Sequence, residues 1–325
     1  MSVVCKYQFH DGTTCAEPAH PGSELCFWHE PKTDKSGPEI IRMIEVKHKR
    51  GDTLEGVILN DAHLEGVRLS RANLHNAQLK WSNLRCAHLF GADLTHAALF
   101  KTVLDYANMK EAKLKGAELL GASLENTKLD FVGFGGEDGY MVKNELEGIE
   151  HEKRGEIEKA QAKYFEAEEI YRAIKLNLKN RGMGFEAGEY FFREMVMSRK
   201  QFPRYSFNRF WSKLMSISTG YGEKPHRIIG FSLAYIVMCA VLFSFLGIHH
   251  TLGAYHQYSM DASLAENLGV FYDALYFSVV TFTTLGYGDY TPFGIGKMIA
   301  VLEAYSGAFC IALFSISTYK RYMDR

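Results

Sequence analysis

The chain has 325 residues, a formal net charge of −1 and 47% hydrophobic residues, a size that allows two or three domains. The near-zero charge argues against a nucleic-acid-binding protein, so no nucleic-acid partner is expected. Lys and Arg are common up to position 227, whereas Lys297 is the only one between Ile228 and Tyr319.

The first 36 residues offer four metal ligands, namely Cys5, Cys15, Cys26 and His29. The first ten residues lack the apolar run of a signal peptide, so we expect this segment to remain in a reducing cytoplasm. It is too small to build its own hydrophobic core, and three thiolates with one imidazole complete a closed tetrahedral zinc shell. We predict a zinc-binding module over residues 1–36, which resembles small bacterial modules with three Cys and one His. His10 and His20 are rival ligands, and a disordered leader with unpaired cysteines is the alternative.

Residues 51–130 carry an apolar residue at every fifth position, usually preceded two residues earlier by a small side chain. The positions are Leu54, Leu59, Leu64, Leu69, Leu74, Leu79, Leu84, Leu89, Leu94, Leu99, Leu104, Met109, Leu114, Leu119, Leu124 and Leu129. A period of five matches neither an amphipathic helix nor an ordinary strand, so it predicts a repeat solenoid.

Units such as "ANLHN", "SNLRC" and "ADLTH" resemble the pentapeptide-repeat family. The resemblance implies a right-handed quadrilateral β-helix, with Leu and the small residue inward and one pentapeptide on each side. Some members of that family are acidic mimics of DNA. Acidic and basic residues are nearly equal in number over 51–130, so we expect a spacer or docking surface instead.

Residues 131–142 are rich in glycine and predict a hinge, after which the apolar period becomes helical. The break "NRGMG" at 180–184 divides the following segment, so residues 143–200 predict an α-helical hairpin. The pair weakly resembles tetratricopeptide-type helices. The alternative role for this hairpin is packing between subunits.

Two charge-poor segments are long enough to cross a bilayer, 228–248 and the inner helix 294–319. Basic residues precede the first and follow the second, whereas the connecting loop is acidic. By the positive-inside bias both termini are cytoplasmic in a multi-pass protein of the cell membrane. Residues 204–227, which contain "FNRFWSKLMSI", predict an interfacial segment and linker, as a loop or as a helix.

Between the two spans lies a short apolar run, Phe271–Phe282, followed by "TTLGYGDYTP". Twelve residues are too few to span, so the run predicts a re-entrant helix leading into a Gly-rich turn. A second Gly-Tyr-Gly, in "STGYGEKP", has no such helix before it and predicts an ordinary turn.

"ALYFSVVTFTTLGYGDYTP" resembles the pore helix and selectivity filter of two-span potassium channels, and the resemblance covers residues 228–325. It implies a homotetramer, because one strand cannot surround an ion. It also implies that K⁺ is coordinated by backbone carbonyls and one threonine hydroxyl over 284–288, through Thr284, Leu285, Gly286, Tyr287 and Gly288. Stacked carbonyls need alternating left-handed backbone, which Gly286 and Gly288 permit.

The support positions are Thr283, Asp289, Tyr276, Phe277, Glu303 and Gly307. Asp289 is expected at the outer mouth, bonded to Tyr276, with Tyr287 wedged against Tyr276 and Phe277. Val280 departs from the glutamate of many such channels. Glu303 is expected either to attract cations or to act as a buried hydrogen-bonding acid. Gly307 is expected either to mark a helix bend or to make a packing contact.

The sequence therefore predicts a multidomain membrane protein, not an enzyme, that conducts K⁺ passively. Its cytoplasmic regulatory part would consist of a zinc module, a β-helix and a helical hairpin. This part could bind a regulatory protein or ligand. The alternatives are a weakly selective cation channel and a membrane-anchored scaffold.

Overall fold

A computed structural model describes residues 4–251, 253 and 255–322, with side chains described up to residue 320. The chain divides into two compact units, Met1–Arg209 and Phe210–Arg325. Each unit has its own buried core.

The N-terminal unit begins with a small irregular module followed by helix α1, Glu39–Lys49. Three isolated antiparallel bridges hold the module together, Val4 with Pro18, Gln8 with Thr14 and Ala19 with Cys26. Helix α1 was not predicted from the sequence. It buries Ile40 and Ile44, which are 1% and 0% exposed, so one apolar face docks on the unit.

The repeat segment forms a coil whose parallel bridges join residues 20 apart, from Ile58 with Gln78 to Lys113 with Gly133. Turns recur at every fifth residue, so each coil has four sides. The repeated Leu side chains are buried at 6% exposure or less, because each pentapeptide turns the same position inward. The predicted repeat architecture and inward Leu positions agree with the structure.

Both ends of this coil are covered by other parts of the unit. At the first coil, the Ile58 amide donates to the Trp28 carbonyl of the module at 2.8 Å. At the last coil, the side chains of Asn177 and Arg181 donate to the Thr127 carbonyl at 2.9 and 3.2 Å. Exposed strand edges invite pairing with other chains, and these contacts satisfy the terminal backbone groups instead.

Three helices follow the coil, namely α2 (Lys143–Lys153), α3 (Ile157–Asn180) and α4 (Gly184–Gln201). The predicted hairpin corresponds to α3 and α4, and α2 is an additional helix. The break before α3 occurs at Gly155, which has φ +79°. The segment predicted as a hinge forms a loop in which Phe134 is 1% exposed and its amide donates to the Gly139 carbonyl at 2.9 Å.

Four helices make up most of the remaining chain, α5 (Phe207–Ser218), α6 (Pro225–Leu246), α7 (Leu264–Phe282) and α8 (Gly296–Tyr322). The division between the units falls near the start of α5, which answers the loop-or-helix question for the predicted interfacial segment. Helices α6 and α8 are long and apolar enough to cross a membrane. Only 33% of the apolar window of α6 and 17% of that of α8 is buried in the single chain.

Short strands β1 (Ile248–His250), β2 (Tyr255–His256) and β3 (Tyr290–Pro292) form an antiparallel sheet in the order β2-β1-β3. Ile248 pairs with His256 on one side and with Pro292 on the other. The sheet joins the end of α6 to the segment before α8. It was not predicted from the sequence, because strands of two or three residues carry no measurable periodicity.

The helix bounds differ modestly from the predicted ones. Helix α7 starts seven residues before the predicted Phe271, because Ser263 and Glu266 form a reciprocal capping box at its N-terminus. Helix α6 begins and ends earlier than predicted, with Pro225 in its first turn and Gly247 at its C-cap. Helix α8 starts two residues later than predicted, at Gly296.

Candidate functional sites

The loop after α7 has a backbone conformation that alternates along the chain. Thr284, Gly286 and Gly288 have φ of +59°, +58° and +79°, whereas the intervening Leu285 and Tyr287 are not among the positive-φ residues. Positive φ was expected at the two glycines. Thr284 adds a third position, which residue type alone does not reveal, because a left-handed threonine is rare.

Hydrogen bonds hold both ends of this loop. The Leu285 amide donates to the Val280 carbonyl at 3.0 Å, and the Thr283 hydroxyl donates to the Val279 carbonyl at 2.7 Å. At the other end, the Thr251 amide donates to the Asp289 carbonyl at 2.9 Å. Residues 284–288 are exposed in the single chain. The loop therefore presents its backbone outward from two fixed ends.

Among the predicted support residues of the loop, Tyr276 and Phe277 lie on α7, and Asp289 directly precedes β3. The Tyr276 hydroxyl lies near the Asp289 carboxylate. Phe277 is buried and packs edge-on against Phe243 of α6, with ring centroids 4.9 Å apart. Tyr287 does not wedge into this cluster in the single chain, since it is 66% exposed.

A different tyrosine takes the expected place beside Tyr276. The ring of Tyr290 lies 6.0 Å from that of Tyr276, in an edge-on arrangement. Tyr290 belongs to β3, whose pairing with β1 carries the ring to this position. Sequence reasoning missed it because the pairing was not predicted.

Glu303 is fully buried within the single chain. Ser278 of α7 donates to Oε1 of Glu303 and also lies 2.9 Å from the Ile236 carbonyl. Oε2 of Glu303 has no hydrogen-bond partner among the described residues. Glu303 thus joins α7 to α8 behind the loop, which fits the buried hydrogen-bonding acid among the two predictions. Ser278 was missed, because one serine in an apolar run carries no signal.

Gly307 of α8 lies directly against the C-terminal end of α7. A Cβ built on Gly307 would overlap the backbone carbonyl group of Phe282, the last residue of α7. The absence of a side chain therefore permits the two helices to touch. This contact supports the packing interpretation of Gly307.

The four predicted metal ligands of the module come together. Nδ1 of His29 lies 3.2 Å from Sγ of Cys26 and 3.5 Å from Sγ of Cys5, and the Cys15 and Cys26 sulfurs are 3.9 Å apart. A tetrahedral zinc ion with ordinary bond lengths separates two sulfurs by about 3.8 Å and a sulfur from a nitrogen by about 3.5 Å. All four residues are buried, at 4% exposure or less. The cluster fits a closed metal shell.

The surroundings of His29 favour ligation through Nδ1. Its Nε2 donates to the Glu55 carbonyl at 2.9 Å, which fixes the ring and leaves Nδ1 facing the sulfurs. The two rivals lie elsewhere, because His10 contacts the Glu55 carboxylate and His20 packs near Phe27. The structure thus brings His29 into the cysteine cluster and places the rivals outside it.

Burial sets the protonation of the cluster when no metal is present. It lowers the pKa of His29, which favours the neutral imidazole that binds metals. It raises the pKa of Cys15, and raises the pKa of Cys26 to about 12. Buried thiols that ionise only beside a strong positive charge suit a metal cation.

Comparison with known families divides the chain in the same way. Residues 236–323 match the family model described as an ion channel. Residues 53–85 and 87–130 match the model for pentapeptide repeats, in eight copies. These matches confirm the predicted combination of a channel domain with pentapeptide repeats. An ion-channel domain and two long apolar helices together fit a membrane location.

Individual relatives cover only parts of the chain. Protein LctB of Geobacillus stearothermophilus is 34% identical over 80 residues, which are 25% of this chain and 52% of the relative. Protein LctB of Bacillus caldotenax is 41% identical over 49 residues, 15% of this chain and 37% of that protein. The chain thus spans about half the length of these relatives or less.

Among solved structures, the chain is similar to a pentapeptide repeat protein, Rfr23, from the cyanobacterium Cyanothece 51142. The two are 34% identical, with a TM-score of 0.25, and the match covers 25% of this chain and 55% of that one.

Proposed function

We propose that four copies of this chain form a K⁺-selective channel whose filter is the loop 284–288. The observation that carries the proposal is the alternating sign of φ through Thr284, Gly286 and Gly288 in a loop anchored at both ends. Alternating right- and left-handed residues turn successive carbonyls to one side, which is the arrangement that replaces the water around a K⁺ ion. The ion-channel match over 236–323 supports the same function.

The exposure of the loop supports a tetramer. One chain leaves residues 284–288 exposed, and a single strand supplies too few oxygens to enclose an ion. Leu285 and Tyr287, 59% and 66% exposed, would then pack against neighbouring subunits. The exposed apolar faces of α6 and α8 would contact lipid or the other subunits.

The N-terminal unit is proposed to lie in the cytoplasm and to regulate the pore. Basic residues precede α6 and follow the apolar part of α8, which supports an inner-side location for both ends of the pore domain. The Cys3His cluster is proposed to hold a structural zinc ion with no open coordination position. A cytoplasmic ligand or protein that binds this unit would shift the open fraction of the channel.

Ion flux into liposomes tests the proposal. Purified full-length protein is expected to pass K⁺ much faster than Na⁺ and to be blocked by Ba²⁺. Equal K⁺ and Na⁺ flux would instead indicate a weakly selective cation channel. No flux across a range of pH and candidate cytoplasmic ligands would leave a membrane-anchored scaffold.

Gly286→Ala tests the filter assignment directly. Alanine at φ +58° is strained by about 1–2 kcal/mol, although its Cβ would meet no atom within 4 Å in the single chain. We expect selective K⁺ flux to be lost while the tetramer persists. The control is Gly269→Ala on α7, where a Cβ also meets no atom and φ is not positive. Selective flux retained in Gly286→Ala would refute the filter assignment.

A further inference from the structure

Three side chains beside the cysteine cluster, and not part of it, converge on one point. Nδ1 of His10 lies 2.7 Å from Oε2 of Glu55, and the rings of His10 and His75 are 4.6 Å apart. One nitrogen or oxygen of each residue lies within 4.8 Å of the others. The proposed pore and the Cys3His cluster use none of these side chains.

The backbone fixes the three residues in place. His10 belongs to the module, Glu55 to the first repeat and His75 to the second coil. The His10 amide donates to Oε1 of Glu55 at 2.6 Å, and the Gly56 amide donates to the His75 carbonyl at 2.8 Å. Residues from three distant parts of the sequence are therefore held together before any ligand binds.

Burial distinguishes this cluster from an ordinary surface ion pair. The Glu55 side chain is 2% exposed, whereas that of His10 is 55% exposed. A buried carboxylate is costly unless a positive charge or several donors satisfy it. The His10 imidazole is the solvent-exposed member of the cluster.

We propose that His10, Glu55 and His75 bind a divalent transition-metal ion at a second site, separate from the Cys3His cluster. Two imidazoles and one carboxylate suit Zn²⁺, Co²⁺, Ni²⁺ or Cu²⁺, and the exposed side leaves positions for water. Ligand atoms around a four-coordinate ion lie about 3.3 Å apart, so the His10–Glu55 hydrogen bond would open by about half an ångström.

The second ion would tie the module to the coil. Its ligands join the module to the first two coils, and Glu55 also accepts the Nε2 hydrogen bond of His29 through its backbone carbonyl. Metal at this site therefore stabilises the docked position of the module. The site does not rest on ion conduction and holds even if the proposed pore carries another ion.

Zinc titration of the metal-stripped, full-length protein in detergent tests the site. We expect one Zn²⁺ held tightly at the cysteines and a second, weaker equivalent. His75→Gln is expected to weaken the second equivalent by more than ~10-fold. His96→Gln is the matched control, since its ring lies 5.6 Å from that of His75 but is outside the ligand set.

Retention of the tight equivalent in His75→Gln shows that the module is still folded. Glu55→Gln provides a second variant, which removes the carboxylate charge and keeps the backbone carbonyl that holds His29, and it is expected to lose the same equivalent.

Co²⁺ separates the two sites by spectrum. The first equivalent is expected to show intense thiolate charge-transfer absorption, and the second only weak ligand-field bands that disappear in His75→Gln. An unchanged second equivalent in both His75→Gln and Glu55→Gln would overturn the proposal. So would a second equivalent with thiolate absorption, or a single equivalent in the wild-type protein.

Discussion

At the scale of single residues, two glycines of the C-terminal unit are required for different physical reasons. Gly286 has φ +58° and free space where its Cβ would stand, so its requirement is conformational. Gly307 has no positive φ but lies against the backbone of Phe282, so its requirement is steric. Alanine substitution should therefore affect conduction at the first position and helix packing at the second.

Gly307→Ala is expected to lower stability by about 1–3 kcal/mol, because the added methyl overlaps the Phe282 carbonyl and forces α8 away from α7. Thermal unfolding of the detergent-solubilised protein measures the loss. The control is Gly230→Ala on α6, where a Cβ would meet no atom within 4 Å. Equal melting temperatures for the two variants would contradict the packing role.

The role of a residue could be predicted from the sequence where a backbone conformation or a metal ligand requires that residue type. Gly286 and Gly288 follow from the conformation that stacked carbonyls need, and the cysteines follow from their thiol chemistry. Ser278 and Tyr290 could not be predicted, because their roles depend on contacts with α8 and β1. The left-handed conformation of Thr284 is likewise set by its surroundings.

At the scale of elements, one arginine joins α4 to α2 and to the loop before α2. Arg193 bonds the carboxylates of Asp138 and Glu145, the latter through Nη1 at 3.1 Å. The Glu145 side chain is 9% exposed and also accepts a hydrogen bond from Tyr171. The interior of the helical segment therefore contains a buried ion pair.

Arg193→Ala is expected to destabilise the N-terminal unit by about 3–5 kcal/mol, because it leaves the Glu145 carboxylate buried without its cation. The control is Arg154→Ala, whose pair with Glu150 has side chains 64% and 65% exposed and contributes below ~0.5 kcal/mol. Denaturant unfolding of the N-terminal unit measures the loss of unfolding free energy in the two variants. A similar loss in Arg193→Ala and Arg154→Ala would contradict the buried-pair interpretation.

The pentapeptide period predicted the coil because every repeat places its own Leu inward. The caps at its two ends could not be predicted in the same way, because each uses contacts distant in sequence. Trp28 accepts from Ile58 at one end, and Asn177 reaches Thr127 at the other. Helix α2 escaped prediction because Gly155 ends it inside an otherwise continuous helical period.

Cys26→Ser tests the link between the module and the coil. We expect the loss of the tightly bound metal equivalent, because a neutral hydroxyl replaces a thiolate ligand. Loss of the module's order should also release the Ile58 amide from Trp28, so hydrogen exchange at Ile58 is expected to accelerate. Metal analysis and exchange mass spectrometry measure both effects.

The matched control is Cys86→Ser, since Cys86 is exposed and outside the cluster. Full metal content in Cys26→Ser would remove Cys26 from the ligand set.

At the scale of the whole molecule, the two units have different solvent requirements. The N-terminal unit buries its repeats and carries charged side chains outside, as a water-soluble domain does. Helices α6 and α8 instead keep large apolar side chains exposed, including Leu233 and Phe309 at 60% and 58%. Such surfaces are stable in contact with lipid or with neighbouring subunits.

Thiol labelling tests the proposed orientation of the chain across the membrane. Cys86 is exposed on the N-terminal unit, and the other five cysteines are buried. Met260, 93% exposed in the loop between α6 and α7, provides a site on the opposite side. A membrane-impermeant maleimide is expected to label Met260→Cys in intact cells, in a Cys86→Ser background that excludes the native thiol.

Native Cys86 is expected to react only after the membrane is made permeable, because the basic flanks of α6 and α8 are proposed to keep the N-terminal unit inside. The Cys86→Ser protein without Met260→Cys gives the background of the buried cysteines. Labelling of Cys86 in intact cells would contradict the proposed orientation. It would instead put the N-terminal unit, and its regulatory role, on the outer surface.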